Sequence, residues 1–266
     1  MDEILPRSNW IGRIKKAAAS AAAPLIFVGA VAAALPEILR QKTLRFKDLI
    51  YYLDLCGSKS LPVVVLISLL MGTVLGIQGA LQLRKVGTDI FIVDLVGFAV
   101  LKEFGPLMVA IIATGRAGSA FAAEIGTMKV NEELFALKTL GISPEAFLVP
   151  PKLLAMLAAM PLLTVFADAA GLLGGSIIGV FYMGIPLNAY WDRTFAVLDE
   201  ITFILGVLKS SVFSVLVTLA GCYCGFQAEG DAQGVGRGAT KAVVLSLFLV
   251  IVADAVLTLL YSLVGY

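Results

Sequence analysis

Four stretches of the chain are apolar for long enough to cross a bilayer, roughly Leu61–Leu83, Pro151–Met183, Ile201–Gln227 and Ala242–Val264. Crossing the hydrocarbon core takes about 20 mostly apolar residues in helical form. A fifth stretch, Leu95–Gly115, qualifies apart from Lys102 and Glu103 near its middle. A sixth, Ala17–Leu39, is alanine-rich and carries Pro36 near its end. The basic residues decide between five spans and six. With five, the chain up to Ser60, the Arg116–Lys152 segment and the Ala228–Lys241 loop share one side and hold fifteen of the twenty Lys and Arg. The other side holds Arg84, Lys85 and Arg193. Five spans with a cytoplasmic N-terminus follow. Ala17–Leu39 then lies in or dips into the interface, between basic flanks.

The pattern therefore predicts an all-α integral membrane protein with an N-terminal interfacial helix and five transmembrane helices. Residues 1–60 form a basic N-terminal region and 61–266 the membrane unit. Gly72, Gly76 and Ala80 in the first span, and Gly171, Gly175 and Gly179 in the third, recur every four residues. Small-residue stripes of this kind mark seams where helix backbones approach.

The Arg116–Phe147 connector contains its own helix. Asn131 reads as an N-cap, with Glu132 and Glu133 at the positive end of the dipole. Leu134, Leu137 and Leu140 make an apolar stripe, Gly141 is the expected C′ residue, and Ser143-Pro144 opens the next helix. Such a short helix, Asn131–Leu140 at the cytoplasmic face, can fold against its own protein or dock in a partner's groove.

Composition narrows the chemistry. Of the 266 residues 59% are hydrophobic and 15% charged, against about 25% charged in soluble domains. The net charge of +1 gives no sign of a nucleic-acid partner. There is no histidine, which removes His-bearing zinc sites and Ser-His or Cys-His nucleophiles. Cys56, Cys222 and Cys224 form no framework and read as packing residues. The basic N-terminus lacks the apolar core and cleavage site of a secretory leader. The run from Gly234 to Gly238 has no Lys-Ser/Thr ending and no preceding strand, so it reads as a loop at helix ends rather than a phosphate loop. No catalytic residues and no metal site are expected.

Charges inside spans cost at least about 2.5–3.5 kcal/mol each and need a cavity or a partner. Lys102, Glu103, Asp168, Lys209 and Asp254 are in this position. Lys102 and Glu103 project about 100° apart on a helix and cannot pair well with each other. Pro106 leaves the Lys102 carbonyl without its helical donor and favours a kink. Asp168 and Asp254 would also suit an ion-coupled secondary transporter or channel. Against that alternative, the spans show no inverted repeat, and a docking helix has no purpose there.

Lys102–Gly141 reads KEFGPLMVAIIATGRAGSAFAAEIGTMKVNEELFALKTLG. Glu-x-Gly-Pro, Gly-Arg-x-Gly-Ser, Ala-Glu-Ile-Gly-Thr-Met-Lys-Val and Glu-x-x-x-Ala-Leu stand in order and closely resemble the signature of MlaE-type permeases, which work with MCE-domain proteins. Gly234–Arg237 with Ala239–Val244 resembles the family's second cytoplasmic motif. The resemblance runs from Leu61 to the C-terminus and weakens over the first 60 residues. It implies a homodimeric permease of an ABC transporter in a bacterial inner membrane. A separate ATPase subunit carrying ATP and Mg would sit on the cytoplasmic side, and an MCE-domain subunit on the periplasmic side. The cargo would be phospholipid or a related lipid moved between inner and outer membranes. Lys102, Glu103 and Lys209 match basic, acidic and basic family positions beside a lipid cavity, with Lys209 expected to be water-accessible. Glu124, Met128, Lys129, Glu132, Glu133, Leu134, Leu137 and Leu140 match the segment that meets the ATPase.

Overall fold

A computed structural model describes residues 26–33, 46–85 and 87–265, and helices are the regular structure throughout them. Five are long and apolar enough to cross a membrane: α1 (Phe46–Leu83), α2 (Asp89–Val130), α4 (Pro144–Phe181), α6 (Glu200–Gln227) and α7 (Ala232–Val264). Two short helices connect them, α3 (Glu133–Thr139) between α2 and α4, and α5 (Leu187–Val197) between α4 and α6. This is the all-α integral membrane fold that the apolar pattern predicts.

The spans alternate in direction, so α3 lies at one end of the bundle and α5 at the other. At the α3 end, Lys129 Nζ donates to the Phe226 carbonyl at 2.9 Å and ties α2 to α6. At the α5 end, Arg84 donates to the Tyr182 carbonyl at 3.0 Å. There Arg193 of α5 also grips both carboxylate oxygens of Asp94, at 2.7 and 2.6 Å.

α4 is the central element. Of its most apolar stretch 56% is buried, against 11% for α7. The glycine stripes explain how α1 reaches it. A Cβ at Gly72 would fall 2.0 Å from the Gly171 carbonyl oxygen, and one at Gly174 would fall 2.1 Å from that of Leu69. Both distances lie far inside van der Waals contact, so only hydrogen at Gly72 and Gly174 permits this α1–α4 seam, while the Gly171, Gly175 and Gly179 stripe makes room for Val100, Val96 and Tyr190 of α2 and α5.

Several boundaries differ from the sequence reading. The Arg116–Phe147 segment is not one connector, because α2 continues unbroken to Val130. Polar residues such as Arg116, whose guanidinium donates to the Lys59 carbonyl, end the apolar run without ending the backbone ladder. Asn131 closes α2 rather than capping α3, and Glu132 enters α3 in the left-handed region with φ 60°. The C-terminal signal holds: Gly141 has φ 75°, and the Ile142 N–H donates to the Leu137 carbonyl at 3.0 Å. Ser143 does cap α4, its hydroxyl accepting from the Ala146 N–H at 3.4 Å.

The Ala228–Lys241 loop shrinks to residues 228–231, since α7 begins at Ala232. Asp231 accepts from the Gly234 N–H at 2.6 Å, and this cap carries the glycine-rich run into helix despite about 1 kcal/mol of propensity lost per glycine. Residues 26–33 are helical, and Phe27 packs its ring 5.7 and 5.8 Å from those of Tyr223 and Phe226. The remainder of the expected Ala17–Leu39 helix lies outside the described residues.

Candidate functional site

The first constellation grows from a defect in α2. Pro106 has no N–H, and the helix widens into a π-type turn over Val100–Phe104, with the Gly105 N–H reaching back to the Val100 carbonyl. The Lys102 carbonyl, deprived of its helical donor, accepts instead from Lys209 Nζ of α6 at 3.1 Å. Lys209 Nζ also donates to Glu103 Oε2 at 2.7 Å and to Thr258 Oγ1 of α7 at 2.9 Å. It stands 2.7 Å from Asp254 Oδ1. Thr258 Oγ1 in turn donates to Glu103 Oε1 at 2.9 Å, which closes the ring.

The Lys209 ammonium is therefore fully buried, not water-accessible, and its three protons are taken by three acceptors, with Asp254 beside them as a second counter-charge. One lysine here answers two carboxylates. Of the three residues singled out from the sequence, Glu103 and Lys209 come together, while Lys102 turns aside and sets its ammonium 5.3 Å from the Phe98 ring centroid. Asp254 and Thr258 complete the cluster. Asp254 was visible as an acid in an apolar span, but nothing local in the sequence pairs it with Lys209, and nothing marks Thr258. Asp168 sits apart: it is buried in α4, with neither carboxylate oxygen hydrogen-bonded among the described residues. Its Oδ1 occupies the space where a Cβ on Gly105 would be.

The second constellation lies at the α3 end. Fully buried Lys152 of α4 donates to Tyr52 Oη at 2.7 Å and to Glu124 Oε1 of α2 at 3.1 Å. Tyr52 Oη donates to the same Glu124 oxygen at 2.6 Å. The Lys152 ammonium also lies 4.4 Å from the Tyr52 ring centroid and 5.9 Å from that of Phe121. Neither Tyr52 nor Lys152 was singled out in the sequence; a lysine directly after Pro150-Pro151 in an apolar run was the available signal.

The other residues matched to the partner-facing segment divide in two. Met128, Leu134 and Leu137 pack into the protein's own core, and Lys129 is held by the Phe226 carbonyl. Glu132, Glu133 and Leu140 are exposed. The stripe Leu134, Leu137, Leu140 thus does not face one way: two members fold inward. The apolar surface that α3 and its end present is Phe135, 67% exposed, and Leu140, 73% exposed. Phe135 borders a groove of about 480 Å³ with Lys129, Lys138, Glu145 and Phe226. A larger groove of about 1030 Å³ opens between the facing ends of α6 and α7, lined by Tyr223, Arg237, Lys241 and Phe248 among others. Neither groove includes Lys102, Glu103 or Lys209.

Comparison with known proteins covers both constellations. The family described as "Permease MlaE" matches residues 49–260. A "Probable ABC transporter permease protein" of Rickettsia bellii is 34% identical over 229 residues, 86% of this chain and 88% of the relative. "Intermembrane phospholipid transport system permease protein MlaE" of Haemophilus influenzae is 31% identical over 214 residues, 80% and 82% of the two chains. "Protein TRIGALACTOSYLDIACYLGLYCEROL 1, chloroplastic" of Arabidopsis thaliana is 32% identical over 222 residues, 84% of this chain and 63% of that one.

Proposed function

The chain belongs to the MlaE permease family, and from that premise we propose that it is the membrane half of an ABC transporter that moves phospholipid between the inner and outer membranes of a bacterial envelope. The observation that carries this reading is a charged cluster within an apolar bundle that also presents an exposed apolar helix tip at one end. A lipid with an anionic headgroup needs a few polar groups in a mostly apolar site. Lys209 has no proton left for a phosphate in this arrangement. Lys102, outside the cluster's ion pairs and half-buried, is the cation available to the headgroup, while Glu103, Lys209 and Asp254 hold the broken stretch of α2 in place.

Asp254 and Thr258 bring α7 into the cluster, and the outward face of that helix (Val244, Phe248, Ile251, Leu259, Leu263) is apolar and exposed. A second copy of the chain packed on this side would wall off a lipid cavity at the dimer axis. At the α3 end, Phe135 and Leu140 supply the anchor for a separate ATPase subunit that binds ATP and Mg, and an MCE-domain subunit sits over the opposite end. This orientation puts the α3 end in the cytoplasm, in keeping with the excess of Lys and Arg on that side. A single cysteine at position 132, in an otherwise Cys-free chain, should react only from the cytoplasmic side.

Asp168 favours a second reading, ion-coupled transport, because a buried acid with no hydrogen-bond partner among the described residues is a residue type that ion carriers use. One experiment separates the two: purification from native membranes in mild detergent, with mass spectrometry of subunits and lipids. The lipid reading expects two copies of this chain with an ATPase, an MCE-domain protein and bound phospholipid. A chain that purifies without an ATPase, and whose transport collapses with an ionophore, fits the second reading instead.

A further inference from the structure

We propose that Tyr52, Glu124 and Lys152 form a clasp that fixes the angle of α3 relative to the spans, so that Glu124 and Lys152 are positioning residues for energy coupling and not partner contacts. The proposal rests on the reading that α3 meets an ATPase. Glu124 stands six residues before the end of α2 and Lys152 eight residues after the start of α4, on the two helix ends that lead into and out of α3. Lys152 Nζ to Glu124 Oε1, at 3.1 Å, is therefore a strut between the two helices that carry α3.

Tyr52 adds the third anchor, from the segment of α1 that precedes its widened turn at Asp54–Ser58. Its hydroxyl relays between the two charges, accepting from Lys152 at 2.7 Å and donating to Glu124 at 2.6 Å. The Phe121 ring packs edge-on against the Tyr52 ring at 5.8 Å and 86°, which holds the phenol in this orientation. Leu134 and Leu137 of α3 belong to the same core cluster as Tyr52 and Phe121.

The chemistry suits rigidity. One cation meets one carboxylate, directly at 3.1 Å and through two shorter bonds by way of the Tyr52 hydroxyl, in a setting that excludes water on the lysine side. A push on α3 would then be delivered to α1, α2 and α4 together. Without the clasp, α3 hangs on two flexible turns, one through Glu132 at φ 60° and one through Gly141 at φ 75°. It could be displaced without moving the bundle.

The test uses the whole complex purified from membranes, with the double variant Glu124→Gln/Lys152→Met, which removes the pair and leaves no orphaned charge. The ATPase should stay bound, while phospholipid-stimulated ATP hydrolysis falls about tenfold, within the usual span of coupling between sites. Amide exchange across residues 131–143 should quicken. Unchanged stimulation in the assembled double variant overturns the clasp, and so does loss of the ATPase itself. Tyr52→Phe is the second arm, since it keeps the ring, the packing and the ion pair. It should insert normally and still weaken stimulation, and full stimulation in Tyr52→Phe counts against the proposal even if the double variant fails to fold. Phe135→Asp separates the two readings. If Phe135→Asp leaves the ATPase bound and stimulated, the docking premise has failed; if it releases the ATPase while both clasp variants behave as wild type, the clasp alone has failed.

Discussion

Lys152 and Lys209 are both fully buried lysines, and each is answered by a glutamate of the same helix, Glu124 or Glu103 of α2. Their surroundings differ in kind. Lys152 meets one carboxylate, one phenol and two aromatic faces, in a balanced group that joins α1, α2 and α4. Lys209 meets two carboxylates, a hydroxyl and a carbonyl exposed by a broken turn, in a group that joins α2, α6 and α7. A balanced pair serves to fasten. A cluster with one carboxylate to spare, built on a distorted helix beside the half-buried Lys102, has the makings of a site that answers to a charged ligand.

The contrast can be broken in the purified chain by thermal unfolding in a single detergent. Lys209→Met should have the largest effect, because it strands Glu103 and Asp254 together; removing one partner of a buried pair costs about 3–5 kcal/mol. Lys152→Met should cost less, about 1–3 kcal/mol, since it strands one carboxylate rather than two, and Tyr52 still donates to it. The reverse order would mean that the two clusters have been read the wrong way round. Charge-balanced pairs sharpen the point. Glu124→Gln/Lys152→Met should lie within about 1–2 kcal/mol of wild type, whereas Glu103→Gln/Lys209→Met still leaves Asp254 without its cation and should remain clearly less stable. Thr258→Val should cost about 1 kcal/mol, the net worth of a typical hydrogen bond, because Lys209 keeps its other acceptors. Phe135→Asp, at an exposed position, should change stability by no more than about 0.5 kcal/mol.

How much of this was legible follows from what acts locally. The five spans were plain because hydropathy is a property of each segment by itself, and Gly141 and Ser143 announced their caps for the same reason. The glycines of both stripes did mark close approaches, though which neighbour each approaches was not written in the spacing. The ends of α2 and α7 were not legible, because Arg116, Glu124 and Lys129, or a run of glycines, look like loop once a helix leaves the apolar layer. Only packing and the Asp231 cap decide otherwise. The missing donor at Pro106 foretold a distortion near Lys102. That the freed carbonyl would be taken by Lys209, 107 positions along the chain, is a tertiary fact with no sequence period behind it. The inward turn of Leu137 escaped notice for a related reason: a stripe shows which residues share a face, not what that face meets.

The central claim is that phospholipid at the Lys209 end and ATP hydrolysis at the α3 end are coupled through this bundle. The most direct test is ATP hydrolysis by the complete complex in proteoliposomes, with and without phospholipid acceptor vesicles, compared among wild type, Lys102→Ala and Phe135→Asp. Wild type should hydrolyse ATP in step with phospholipid transfer. Lys102→Ala should keep the ATPase bound but lose transfer, and Phe135→Asp should lose the ATPase. Hydrolysis indifferent to phospholipid in wild type, or transfer that proceeds without ATP, would contradict the account.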